Sequence, residues 1–144
     1  MNNFIQRIIS ILLYTLPLKA ALPYGYALFY KFDFLKIYLI LTKPIALLET
    51  SLPFGNLFLF LIIFLGIVRN LNVPYFLRFN ACQALLLNIA IIIFGFLIQI
   101  LPLPQLSYLV FLCSLAITIF SISLCTIGIE PEIPFISKSV RMQM

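Results

Sequence analysis

Few side chains in this 144-residue chain could do chemistry, and the types present narrow the chemistry sharply. There is no His, and two of the four acidic groups, Glu130 and Glu132, sit beside Pro131 and Pro134. Paired carboxylates can serve acid–base catalysis, but with no His or metal ligand nearby in sequence a structural role is expected. Cys82, Cys113 and Cys125 are widely spaced and odd in number, which argues against a disulfide framework or a metal site. Small buried thiols at packing positions are the expectation for them. A Gly-rich phosphate loop and a Ser/His/Asp set are both absent. Binding is therefore expected in place of catalysis, with no cofactor and no metal.

The more informative residues are uncharged polar ones set within apolar runs. Advancing about 100° per residue, Asn80, Gln83, Asn88, Gly95 and Gln99 fall within roughly a 160° arc. Ser107, Ser114, Thr118, Ser121 and Cys125 form a narrower stripe of about 60° on the following helix. Small and polar residues of this kind let membrane helices approach and hydrogen-bond across their interface. The alternative is that they line a water-accessible path for a solute or a polypeptide. Both readings stay open at the level of sequence. A proton or ion relay is not expected, because neither segment carries Asp, Glu or His.

The elements that position these residues follow from composition. The chain is 64% hydrophobic and 9% charged, whereas soluble domains average roughly 45–50% and about 25%. Nine basic and four acidic groups cannot clothe a water-facing surface. An all-α integral membrane protein, folded as a single membrane domain over residues 1–144, is expected. Phe79 to Ile129 carries no charge; as one helix it would be about 76 Å long against a hydrocarbon core of ~30 Å. It must fold back, and Leu101-Pro102-Leu103-Pro104-Gln105 marks the turn. Spans over 76–101 and 105–129 follow. A further span is expected over 53–68, with Pro53 in its first turn. Residues 8–30 make a span broken by Pro17 and Pro23, with Lys19 between them as a costly mid-span charge. Over 34–48, Lys36 and Lys43 share one face and Asp33 sits one turn before Lys36. An interfacial amphipathic helix is expected there, ended by Pro44 or kinked beyond it. Leu22-Pro23-Tyr24-Gly25 and Leu52-Pro53-Phe54-Gly55 echo each other, but their flanks differ too much for a repeat.

Four crossings place both termini on one side with Arg7, Arg69, Arg78, Lys138 and Arg141. The other side holds Lys31, Lys36 and Lys43. The richer side is expected to face the cytoplasm or its organellar equivalent. The basic residues are scattered and form no stripe, so no nucleic-acid partner is expected.

Leu65-Gly66-Ile67-Val68-Arg69-Asn70 with Val73-Pro74-Tyr75-Phe76-Leu77-Arg78-Phe79-Asn80 resembles the twenty-kilodalton subunit family of the translocon at the inner envelope of chloroplasts. The tail Glu132-Ile133-Pro134-Phe135-Ile136-Ser137 and Val140-Arg141-Met142-Gln143 is similar to that family and its cyanobacterial relatives, and Leu16-Pro17-Leu18 more loosely so. Arg69, Pro74, Arg78 and Phe79 match the family's loop motif, and Glu132 and Pro134 its tail. The resemblance implies four helices with both termini in the stroma and a place in or beside the protein-import path. It implies membrane lipids, other inner-envelope translocon subunits and incoming preproteins as partners. The expected location is the plastid inner envelope, or the inner membrane of a cyanobacterium. Met1-Asn2-Asn3-Phe4 leads almost directly into an apolar segment without the Ser- and Arg-rich leader of an imported plastid protein, which suggests synthesis inside a plastid or in a bacterium. A small solute or ion carrier and a non-conducting scaffold are the rival readings.

Overall fold

A computed structural model describes residues 3–101 and 103–144. Pro102 of the expected turn, and Met1 and Asn2, lie outside them. Helix α1 spans Asn3–Lys31 and is followed by a single 3-10 turn at Asp33–Leu35. Next come α2 (Lys36–Ser51) and α3 (Gly55–Ile63), the latter continued by a π-helical segment over Phe64–Val68. Helices α4 (Tyr75–Ile100) and α5 (Pro104–Ile127) make the hairpin, and a short α6 (Ile136–Gln143) ends the chain.

Helix α1 runs unbroken through both prolines, where the sequence predicts a break. Each proline removes one backbone hydrogen bond, but Tyr14, Pro17, Leu18 and Ala21 are all buried, so packing on either side carries the helix through them. Those neighbours are α4 and α5. Although consecutive in the chain, α4 and α5 touch each other sparingly and pack mainly on α1, which lies between them. The register is set at three levels. Near one end, Arg7 Nη1 donates to the Thr126 carbonyl at 3.2 Å. Further along, Tyr14 bonds Asn80, and beyond it Gly25 faces Phe111 while Gly95 faces Tyr24. Helix α1 is thus parallel to α4 and antiparallel to α5.

This arrangement leaves the end of α1 and the start of α4 at opposite ends of the bundle, so residues 32–74 must return along its length. They do so in two pieces. Helix α2 passes Pro44 without ending and packs along α1, with Ile45 in a cluster with Leu13 and Leu16, while Leu35 of the preceding 3-10 turn clusters with Phe29. The chain then turns by 104° into α3. Pro53 lies in that turn and not in the first helical turn, because Leu52 is extended and Phe54 takes a left-handed conformation (φ 53°). Helix α3 and its π segment run back along α4 until Arg78 Nε meets the Val68 carbonyl at 3.0 Å.

Three helices, α1, α4 and α5, are long and apolar enough to cross a membrane, and the count rises to four if the bent α2–α3 pair is one span. Their outer faces carry Phe94, Phe96, Leu109, Leu112, Ile119 and Phe120, all exposed. Helix α5 stops two residues before the expected Ile129, because Gly128 adopts φ 88° and its N–H closes on Leu124 and Cys125 carbonyls. Left-handed glycine is the common helix stop. Cys82 and Cys125 are buried as expected, but Cys113 is exposed, since it lies off the α5 face that meets α1.

The close approach of α1 to α5 rests on a missing side chain. A Cβ at Gly25 would sit 2.6 Å from the Phe111 ring, whereas one at Gly66 would meet nothing within 4 Å. Gly25→Ala is therefore expected to lower thermal stability in detergent by about 1–3 kcal/mol through overpacking. Gly66→Ala should leave the melting temperature near that of the wild type.

Candidate functional site

The polar residues singled out in sequence converge on α1. From α4, Asn80 is fully buried and acts as a three-helix node. Tyr14 of α1 donates its hydroxyl to Asn80 Oδ1 at 3.1 Å, and the Cys125 thiol of α5 donates to the same oxygen at 3.4 Å. Asn80 Nδ2 donates to the Phe76 carbonyl one turn back at 2.8 Å. One carboxamide thus joins all three long helices. Earlier in the same stripe, the small residues Ser114, Thr118 and Ser121 are also buried on the α5 face turned to α1. Thr118 returns its hydroxyl to the Ser114 carbonyl at 2.7 Å, a helix-internal bond that leaves the seam narrow.

Gln83 does something different. Its Nε2 donates to the Pro131 carbonyl at 3.0 Å, and Ser137 Oγ approaches Gln83 Oε1 at 3.4 Å. Ser137 Oγ also accepts from the Ile133 N–H at 2.7 Å. The tail after α5 is thereby fastened to α4. This tail carries the motif residues. Glu132 pairs with Arg141 at 2.6 Å, and the Arg141 guanidinium lies 5.9 Å from the centre of the buried Phe79 ring. Pro74 caps α4, its carbonyl accepting from the Leu77 and Arg78 N–H groups at 3.1 Å each. Arg69 is exposed and lies over Phe64, 5.5 Å from the ring centre. Pro134 is exposed in the turn before α6, where its carbonyl accepts from Ile136 at 2.9 Å. Phe79, Glu132 and Arg141 therefore form one cluster, and Arg78 reaches back to Val68 to tie in the end of the π segment.

Two expected members of the polar face stand apart. Gln99 is exposed, one turn beyond the level where Gly95 meets Tyr24. Asn88 is 1% exposed but has no hydrogen-bond partner for its Nδ2. Sequence reasoning missed Tyr14, Ser137 and α6 itself. A hydroxyl within an apolar span is the signal for Tyr14. For α6 the signal is Ile133, Ser137 and Val140, spaced to bury one side of a short helix.

Lys19 finds an acidic partner that sequence did not assign. Its ammonium pairs with Glu49 of α2. The site lies midway along α1, about 24 Å from Asn3 and about 18 Å from Lys31. The two side chains remain 33% and 20% exposed. Among the described residues no group of three His, Cys, Asp or Glu could hold a metal ion.

Two expectations follow. Asn80→Leu strands the buried Tyr14 hydroxyl and should cost about 1–3 kcal/mol, while Tyr14→Phe should cost roughly 0.6–2 kcal/mol. Gln99→Leu should be nearly silent in the same detergent melting assay. Lys19→Met or Glu49→Met alone leaves one charge unpaired, so each single variant should melt below the Lys19→Met/Glu49→Met double variant. Additive losses in that cycle would show that the two groups do not interact.

Residues 2–140 match the family model described as "Chloroplast import apparatus Tic20-like". A Tic20 family protein of Synechocystis is 32% identical over 148 residues, covering 96% of this chain and 92% of the relative. From Arabidopsis thaliana, the chloroplastic protein TIC 20-II is 29% identical over 150 residues, covering 96% of this chain and 72% of its own length. Also from Arabidopsis thaliana, the chloroplastic protein TIC 20-v is 27% identical over 149 residues, covering 96% and 71%. With the match running from the start of α1 into α6, through both motif regions and the helices that join them, this chain belongs to the Tic20-like family of the chloroplast import apparatus.

Proposed function

We propose that this multi-pass membrane protein is a subunit of the translocon that imports proteins across the plastid inner envelope, and that it contributes one wall of the polypeptide path. The observation that carries the wall reading is where α1 sits. It fills the space between the polar faces of α4 and α5, so a path bounded by this chain lies at its edge and is completed by a partner subunit. The Lys19–Glu49 pair supports an edge next to the α1–α2 contact. A half-buried ion pair midway along a span is costly in lipid but acceptable beside water. The basic end, with Arg7, Arg69, Arg78, Lys138 and Arg141, then faces the stroma, α2 enters from the opposite surface, and α3 completes the fourth crossing. Preproteins and neighbouring translocon subunits are the partners in this reading.

The carrier alternative draws on the same ion pair, since a mid-span charge is what ion coupling needs. A scaffold needs only the apolar outer faces.

Photo-crosslinking separates the three. With a preprotein arrested in transit, p-benzoylphenylalanine in place of Leu48, exposed on α2, should form adducts with the preprotein. The same probe in place of Thr118, turned to α1, should not. Preprotein adducts at position 118 would instead mean that α1 moves aside and the path opens inside the bundle. Adducts only with resident subunits would leave the scaffold, and copurification without any import component would sink the translocon assignment.

A further inference from the structure

The outer surface between α3 and α4 holds a groove of about 530 Å³ lined by Phe54, Asn56, Leu57, Phe60, Asn88 and Ile92, with Ile89 at its rim. Its walls are apolar and open: Phe54 is 82% exposed and Leu57 61%. At its floor sits Asn88, 1% exposed, whose Nδ2 has no hydrogen-bond partner. An unpaired amide in a dry setting costs on the order of 1–3 kcal/mol, so a leucine here would serve the isolated chain better. The groove exists because the 104° turn starts α3 partway along α4 and leaves the α4 surface beyond that point uncovered.

We propose that this groove docks a transmembrane helix of a partner subunit, one that presents a Ser, Thr, Asn or Gln side-chain oxygen to Asn88. Depth selects this occupant. Asn88 lies about 20 Å along α4 from Tyr75 and about 18 Å from Ile100. Lipid carbonyls lie at the rim of a hydrocarbon core ~30 Å thick, so they do not reach the middle of such a helix, and acyl tails carry no acceptor. A polar side chain on a membrane helix is the group that brings an oxygen there. A second copy of this chain is a poor source. Near this depth the outward faces of α4 and α5 offer Ile93, Phe94, Leu112, Ile119 and Phe120, and the exposed hydroxyl closest to that level, Ser123, is folded back onto the Ile119 carbonyl at 2.8 Å. The inference needs only that the chain spans a membrane and does not depend on the translocon reading.

The test uses p-benzoylphenylalanine in place of Leu57 or Ile92, with the full chain in its native membrane. The expected result is an adduct with a transmembrane segment of another protein, mapped by mass spectrometry to within one helical turn of a Ser, Thr, Asn or Gln. Asn88→Leu should reduce that adduct roughly three- to thirtyfold, the range one interhelical hydrogen bond supplies in a membrane. A probe in place of Leu109, on the outer α5 face, should be unaffected and reports that the variant is folded. Unchanged yield in Asn88→Leu, adducts with lipid alone, or adducts with a second copy would each overturn the proposal. A partner unrelated to import would keep the groove assignment and count against the translocon reading.

Discussion

Burying a polar group away from water is costly unless it is hydrogen-bonded, and in this chain one carboxamide supplies such bonds to three helices at once. Asn80 accepts from Tyr14 on α1 and Cys125 on α5 while donating within α4. The rest of the architecture depends on that node. It fixes α1 between the two arms of the α4–α5 hairpin, and it sets the level at which Gly25 and Gly95 must be small to admit Phe111 and Tyr24. It also places the end of α1 opposite the start of α4, which obliges the intervening chain to travel the length of the bundle. The bent α2–α3 return is a consequence of this geometry.

That return has its own chemistry. A single straight helix would have covered α4 from end to end. The 104° turn instead brings Glu49 beside Lys19 and leaves the groove over Asn88 open. Two polar features midway along the spans therefore arise from one break, on different faces of the molecule. The ion pair is internally satisfied, while the amide is not. A charge with a partner can tolerate limited hydration, whereas an unpaired donor is better explained by something that arrives from outside. At the basic end, the Glu132–Arg141–Phe79 contact and the Gln83–Pro131 bond fold the tail back over the start of α4. The motif residues of the loop and of the tail thus belong to one structural unit, although more than fifty positions separate them.

Much of this was legible in the sequence, and the parts that were not have physical reasons. Charge-free length and Pro104 placed α4 and α5 nearly to the residue. Angular position alone aligned Asn80, Ser114, Thr118, Ser121 and Cys125, and all of them are buried on shared faces. What spacing cannot supply is the identity of the facing element. The α4 and α5 faces could have met each other, and α1 as the partner appears only in three dimensions. Pro17 and Pro23 read as breaks because local rules omit the packing of neighbouring residues that carries α1 through them. Gln99 shares an angle with Asn88 but is exposed near the end of α4. Glu49, thirty positions from Lys19, carried no local sign that it would be the partner of that lysine. Whether the α4 and α5 faces serve packing or passage was open in sequence, and the position of α1 favours packing in the closed molecule.

The claim on which this account turns is that α1 seals the polar faces of α4 and α5 from water. Reactivity of Thr118→Cys with a membrane-impermeant maleimide, in a Cys113→Ala background and intact membranes, tests it directly. Position 118 is expected to stay unlabelled while Asn80 is intact and to become reactive when Asn80→Leu releases α1. Labelling at the rate of a loop cysteine with Asn80 in place would contradict it.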